Sequence, residues 1–429
     1  MISSPSMDEP VRVFEHSQLP VGDKLKEVHF RRLVKYNERH GNVFFAVGHN
    51  RIYFRNYVGV IQVGSLTIEI LPKADNLPDK DQDVSKWQRA LVEMIRRSGL
   101  IRLTSLSDAM LRTHSATLLD IFFKSFLSEV EQLAHHGLVR KYRKNQDNLT
   151  TFKGRLLFQK QITLNLVHRE RFYTEHVHYD RNNPFNQILG TALDILILTS
   201  SNPHLTAQAR NLALSFEDVD KINAAEVTFT RLQYTRNTER YRRAVQLARL
   251  IILNYCPDVR SGGEDVLAIL FDMNDLFERY VYAQLKRAEA LNSEQKVSFR
   301  AQVRQPFWRT ERIRKHIRPD IIAEIGRGHD QKRVVIDTKW KIPRDGKPSD
   351  TDLHQMYTYN IQFGAKQSLL LYPGTSGACD VQGCFEQPVH FSEIGDNSCG
   401  MCFVELFDTE GKLLGEKMGN MIIDRLRHI

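Results

Sequence analysis

Cysteine is scarce in this chain, and long apolar runs are missing. Five cysteines in 429 residues cannot build the dense disulfide framework of a small secreted scaffold. Cys256 stands alone, while Cys379, Cys384, Cys399 and Cys402 gather near the C-terminus. That group reads as thiols or a metal site. Cys399-x-x-Cys402 has the spacing of a zinc half-site and Cys379/Cys384 a looser one, so the four are candidate ligands for structural Zn²⁺, with buried thiols as the alternative. No segment is apolar for long enough to span a bilayer. The opening MISSPSMDEP lacks the basic and apolar regions of a secretion signal, so the expectation is a cytoplasmic protein with no membrane partner. There is no internal repeat and no low-complexity tract, which excludes solenoids and linker-like chains. The C-terminal half contains no P-loop, so any nucleotide hydrolysis linked to it must come from a partner.

What is present is a basic chain of ordinary globular composition. The length allows two or three domains with real cores. A formal charge of +9 and a pI near 9.2 favour a polyanionic partner. The pattern predicts an α+β, multidomain protein. Residues 1–85 read as a β-rich module: Val11–Phe14 alternates, and Arg51–Leu71 offers short strands with turns at Gly59 and Gly64. Residues 86–261 read as mainly helical, with apolar stripes such as Leu118, Leu119, Phe122, Phe126, Val130 and Leu133. A basic finger at residues 137–162 interrupts them and is expected to project as a hairpin. From residue 262 the order becomes helix, three-stranded meander, helix, strand. The helix is predicted over Asp272–Ala290, the strands near Val297–Val303, Ile317–Glu324 and Val334–Lys339, the second helix over Asp352–Ile361, and a buried strand over Ser368–Tyr372.

The chemistry concentrates in Ile317–Lys341. Side chains two apart in a strand share a face, so Asp337 and Lys339 point the same way while Ile336 and Thr338 point the other. If the preceding strand pairs as a hairpin, Asp320 approaches Asp337. Two carboxylates forced together beside an apolar sheet repel each other, unless a hard divalent cation sits between them. Pro319-Asp320 followed by Asp337-x-Lys339 resembles the PD-(D/E)xK nucleases. In that chemistry Mg²⁺ (or Mn²⁺) polarises the scissile phosphate and activates a water, and a lysine orients the water and offsets developing charge. Glu278, on the helix before the meander, can reach such a site as a third ligand or as a supporting group. Gln355 and Tyr359 lie four apart, on one helix face, where they can bond Lys339, a water or a DNA phosphate. The run Arg300–Lys315, with Phe307 and Trp308 among Arg309, Arg312 and Arg314, fits a nucleic-acid contact.

Taken together these motifs resemble the McrC family, the nuclease subunit of McrBC-type restriction systems. The resemblance covers roughly Phe152 to Tyr372. It rests on Phe152-Lys153-Gly154-Arg155-Leu156, Asn182–Leu189 with Asn186, Asn274–Val281, Arg318-Pro319-Asp320, Val335–Lys341 and Gln355-x-x-x-Tyr359. It implies a Mg²⁺-dependent endonuclease that acts on double-stranded DNA with an AAA+ NTPase hexamer, McrB, typically GTP-dependent, which reads the DNA. By motif, Asp320 and Asp337 would be metal ligands, Lys339 the catalytic lysine, and Glu278, Gln355 and Tyr359 supporting residues. The basic finger, with Arg140, Arg143, Lys153 and Arg155, would meet the NTPase, where an added cation favours phosphoryl transfer. Two other readings keep the same core: a stand-alone structure-specific or repair nuclease, and a non-catalytic adaptor between DNA and a motor. Cutting without the partner would mark the first, and cutting that survives loss of Asp337 would mark the second.

Overall fold

The computed structural model describes residues 9–74, 83–100, 117–257, 265–291, 297–326, 331–343, 346–374, 380–386 and 397–428. The chain divides into two compact units that alternate along the sequence. Residues 1–9, 62–65 and 103–269 form one, and residues 10–61, 66–102 and 270–429 form the other. These units cut across the three consecutive segments expected from periodicity, because 10–61 and 66–102 belong with the C-terminal residues. The reason is long-range pairing. Strand Leu66–Leu71 runs parallel to Val11–Phe14. Helix Val84–Ser98 buries Trp87, Ala90, Leu91, Met94 and Ile95 against helix Met273–Leu291, and the ring of Trp87 meets Trp340 edge-on at 6.5 Å. Local periodicity carries no information about partners this distant in sequence. The N-terminal region also holds a helix, Glu27–Arg39, among its short strands.

The C-terminal residues build a six-stranded sheet in the order Val297–Ala301, Ile321–Ile325, Lys332–Thr338, Gln367–Gly374, Ser398–Glu405, Val381–Cys384. The first three strands are an antiparallel meander. Helix Asp350–Phe363 then carries the chain over to Gln367–Gly374, which pairs in parallel with Lys332–Thr338. Ser349 caps that helix by accepting from the Asp352 amide, and Gly364, in the left-handed region at φ 60°, ends it. Ile322, Val335, Leu370 and Met401 pack on one side of the sheet against Met356, Tyr359 and Phe363 of the helix. Val335 and Asp337 are two apart, so the packing that seats the helix fixes the side on which Asp337 emerges. The expected meander is present with shifted ends. The basic run before it folds into a separate small hairpin, Gln305–Arg309 with Arg314–Ile317.

The other unit is helical, with a three-stranded sheet. Helix Leu118–His135 starts at a capping box of Thr117 and Asp120. Helix Pro184–Thr199 starts with Asn183 as cap and Pro184 in its first turn. The finger is larger than residues 137–162. Strand Lys141–Leu149 pairs with Phe172–Asp180, beyond that range, and the short Arg155–Leu156 adds to the other edge of the same strand. Helix Phe158–Asn165 lies between them in sequence. The base of the finger is anchored by buried amides. Asn186 Nδ2 donates to Val139 O at 2.9 Å and Arg181 O at 2.7 Å, Asn183 Nδ2 donates to Val139 O at 3.0 Å, and Tyr241 OH donates to Asn186 Oδ1 at 3.0 Å. Unpaired, an amide as buried as that of Asn186 would be costly.

Candidate active site

Ile321 pairs with Ile336 across the meander, so Asp320 and Asp337 are the next residues at the same end of two adjacent strands. Asp337 is 2% exposed and Asp320 half-buried. Thr338 holds Asp320 from both its groups: the amide and the hydroxyl each donate to Asp320 Oδ2 at 2.8 Å. Both Thr338 bonds fall on the one oxygen, Oδ2. Burial, opposed by the two Thr338 bonds, pushes the Asp320 carboxyl up. Burial and the neighbouring Asp320 charge push Asp337 up to about 7.

Lys339 is at the centre of the polar contacts. Its Nζ lies 2.7 Å from Asp337 Oδ2 and 3.2 Å from Asp352 Oδ1, and it donates to Gln355 Oε1 at 3.1 Å. Burial alone would lower the lysine pKa, but the Asp337 and Asp352 carboxylates outweigh it and raise it. The amine is therefore a fixed cation. Gln355 Nε2 donates to Tyr359 OH at 2.9 Å and reaches Asp337 Oδ1 at 3.5 Å, while Tyr359 OH donates to Arg318 O at 3.1 Å. The helix pair Gln355/Tyr359 thus lies over Lys339 and Asp337.

Glu278 is raised to about 7, first by burial and then by the nearby Asp320 charge. Its carboxylate accepts from Gln302 Nε2. The three carboxylates share one neighbourhood without closing into a tight triad: Asp320, Asp337 and Glu278 are not among the groups of three whose ligand atoms lie within 4.8 Å of one another. A cation on Asp320 and Asp337, with water and phosphate oxygens completing its shell, matches how Mg²⁺ is usually held. The fit rests on a particular atom. Asp337 Oδ2 is buried and, although ion-paired with Lys339, has no hydrogen bond of acceptable direction. A hard cation would satisfy such an oxygen, offset the burial that raises both carboxyls and relieve the Asp320 charge that adds to it at Asp337.

The sequence reading missed two residues here. Asp352 is 5% exposed and binds Lys339, the Lys341 Nζ at 2.5 Å and the Ser349 hydroxyl at 2.7 Å; these partners overcome burial and lower its pKa. The Ser349-x-x-Asp352 capping pattern was the available signal. Gln302 adopts a left-handed φ of 56°, its amide donates to Asp320 O at 2.9 Å, and its side chain holds Glu278. No local pattern announces that conformation.

Around the site, Arg309, Arg312 and Arg314 are exposed on or beside the small hairpin, with Phe307 and Trp308 51% and 52% exposed. No carboxylate pairs with these arginines among the described residues. In the finger, Arg140, Arg143, Lys153 and Arg155 are exposed, and Arg143 donates to Asp180 at 3.1 Å. Among the described residues the cysteines form no three-ligand group. Cys379 lies outside the described residues. Cys399 and Cys402 are three apart on one strand and so face opposite ways: Cys399 packs with Met401 and Tyr372, and Cys402 meets Arg425 and Asp380. Burial raises their thiols to about 11 and about 12, and Cys384 is exposed. Among the described residues no cysteine belongs to a group able to hold a metal.

The model of a known family, the McrBC 5-methylcytosine restriction system component, matches residues 52–373. The chain belongs to this McrBC family. Its fold also resembles two solved structures from Thermococcus gammatolerans. One is a half-complex from a tetradecameric assembly of McrB AAA+ hexamers with bound McrC: TM-score 0.67 and 19% identity, over 97% of this chain and 100% of the other. The second is the McrBC complex, with TM-score 0.50 and 20% identity over 65% of this chain and 88% of the other. At these identities the likeness shows a shared fold. No curated protein matches the chain. Among the described residues no helix is long and apolar enough to cross a membrane.

Proposed function

We propose that this McrBC-family chain is the endonuclease subunit of its restriction complex, a PD-(D/E)xK enzyme that hydrolyses phosphodiester bonds of double-stranded DNA. It does so when bound to a McrB-like AAA+ NTPase hexamer, whose hydrolysis it stimulates and which selects the DNA. The observation that carries the reading is the placement of Asp320, Asp337 and Lys339 at one end of two paired strands, with a buried Asp337 oxygen whose polar contact among the described residues is the Lys339 ammonium alone. The meander, crossover helix and parallel strand around them support the nuclease core, and the assembly of the structural relatives with McrB AAA+ hexamers supports the partner.

Mg²⁺ or Mn²⁺ bound at Asp320 and Asp337 would supply phosphate polarisation and a water of lowered pKa. The chain's own residues set up the rest. Thr338 fixes Asp320, so one carboxylate oxygen is committed and the other is available. Lys339, kept charged by Asp337 and Asp352, would offset the charge that develops on the phosphate oxygens, and would have to release one of its three partners, Asp337, Asp352 or Gln355, to bond the attacking water. Gln355 and Tyr359 restrain the lysine and Asp337, and Gln302 restrains Glu278 behind them. Phe307, Trp308, Arg309, Arg312 and Arg314 present aromatic and cationic surface for the duplex. The exposed finger cations Arg140, Arg143, Lys153 and Arg155 would act on the NTPase, where an added cation favours phosphoryl transfer.

The test is cleavage of methylated plasmid with the McrB-like partner, GTP and Mg²⁺. Wild type cuts only with the partner, and Asp337→Ala does not cut. Equal cutting without the partner would favour a stand-alone nuclease. Full cutting by Asp337→Ala would leave only the adaptor role.

A further inference from the structure

The finger contains a second cluster that the nuclease reading does not use. His176-Val177-His178 lies on strand Phe172–Asp180, so both imidazoles share a face. The antiparallel register places Asn145 opposite His176 and Asp147 opposite Thr174, which brings Asp147 to the same face. His176 Nε2 is 2.6 Å from His178 Nε2 and 3.6 Å from Asp147 Oδ2. One ligand atom from each of the three residues lies within 4.8 Å of the others. Asn145 Nδ2 donates to Asp147 Oδ2 at 2.6 Å and orients that carboxylate.

Three features distinguish this from a solvated surface pair. His176 is 4% exposed, and its Nδ1 has no hydrogen-bond partner, so the ring's polar contacts are all on the Nε2 side. Two neutral imidazoles with Nε2 facing Nε2 can share a single proton at most, and a cation between them would satisfy both lone pairs. The loop before Arg155 also closes on the cluster: Gly154 has φ +76°, and a Cβ there would come within 2.8 Å of His176 Cβ. The glycine of the Lys153-Gly154-Arg155 motif is therefore required by its left-handed φ and by close approach to the strand backbone at Glu175 and His176.

We propose that Asp147, His176 and His178 form a binding site for a late first-row divalent cation, with Zn²⁺ the best match. Two imidazoles and one carboxylate are borderline ligands that suit zinc better than magnesium, and three protein ligands leave a fourth position for water. Zinc–nitrogen bonds of about 2.0–2.1 Å in tetrahedral geometry put ligand nitrogens about 3.3 Å apart. Modest rotation of the His178 ring, which is half-buried, opens the 2.6 Å separation that far. The bound ion would tie strand Lys141–Leu149 to strand Phe172–Asp180 next to the loop carrying Lys153 and Arg155. The assignment does not depend on the nuclease reading.

The test uses the full chain carrying Asp320→Asn and Asp337→Asn, which silences the acidic site. The protein is stripped with chelator and titrated with Co²⁺ as a visible probe, then with Zn²⁺. One equivalent of Co²⁺ gives tetrahedral d–d bands that Zn²⁺ displaces, and Zn²⁺ raises the Tm. His176→Ala and His178→Gln, each checked for native circular dichroism, lose both the bands and the Tm shift. A parent protein that takes up neither ion overturns the proposal and leaves a hydrogen-bonded His–His–Asp chain. Uptake that survives in the folded His178→Gln and His176→Ala variants overturns it as well.

Discussion

Asp337 sits at a place from which the fold has removed most of the water. Its carboxyl is raised to about 7 by burial and then by Asp320, against an ordinary value of 3.8. At pH 8 without a divalent cation it is charged at a cost, and at pH 5 it is protonated. Replacing it with asparagine removes that cost at pH 8 and changes little at pH 5, because Lys339 keeps Asp352 as a partner. In chelator, Asp337→Asn should therefore raise stability at pH 8 by roughly 1–3 kcal/mol, shrinking toward zero at pH 5, while cleavage with the partner falls by at least about 100-fold. Denaturant unfolding at the two pH values checks the first effect and plasmid cleavage the second. A variant less stable than wild type at pH 8 would mean that Asp337 serves the fold more than the metal. The opposite signs of the two effects are what is expected where a functional site is kept at the expense of stability.

At the scale of elements, what could be read in advance followed from periodicity. Asp337-x-Lys339 on one strand face and Gln355 with Tyr359 on one helix face are consequences of periods of 2 and 3.6, and Pro319-Asp320 marked the strand before. Asp352 was illegible as a partner because its contact with Lys339 depends on how the crossover helix docks. Gln302 depends on a single left-handed residue. The finger's second strand, FYTEHVHYD, lacks a clean alternation and lies beyond the 137–162 bounds expected for the finger. Its partner, KYRKNQDNL, is polar on both faces. Glu27–Arg39 fully buries only Leu33 and Tyr36 of its large apolar groups, with Phe30 and Val34 half-buried, and charged residues fill most of the rest. The small hairpin Gln305–Ile317 was read correctly as basic but not as a separate element, and its shape yields a prediction. Arg309 and Arg314 pair across the strands with Phe307 and Trp308 exposed beside them, like charges that a polyanion would relieve. Arg309→Ala and Arg314→Ala should each reduce the salt dependence of duplex binding by about one unit of log–log slope, while Trp308→Ala should weaken binding by about 1–3 kcal/mol, most visibly on frayed or single-stranded DNA. Anisotropy titrations across salt concentrations would show it. Unchanged slopes would remove the hairpin from the DNA path.

For the molecule as a whole, the raised acids set how stability responds to pH. Glu15 is buried, accepts from Trp340 Nε1 at 2.6 Å and the Lys73 amide at 2.9 Å, and is raised to about 8, chiefly by burial. Glu278 and Asp337 are raised to about 7. In each the folded state holds a proton that the unfolded chain releases near its ordinary value of about 4. The folded form therefore binds more protons between pH 4 and 8, and stability falls as pH rises through that window. His16, lowered by burial, opposes this below about pH 6.5. Glu93 and Asp352 are held below their ordinary values by their cationic partners, against burial, and so do not add to this loss. In chelator the Tm should fall from pH 6 to pH 8. Mg²⁺ should restore part of the loss, and more at pH 8, because it replaces protons at Asp320 and Asp337 but not at Glu15, which has no place in the acidic site. Glu15→Gln retains an acceptor for Trp340 and Lys73, so it should flatten the chelator slope and leave the Mg²⁺ shift intact. Differential scanning fluorimetry of both proteins at the two pH values, with and without Mg²⁺, separates these terms. A Tm that rises with pH in chelator, or a Mg²⁺ shift that disappears in Glu15→Gln, would contradict this assignment of the protons.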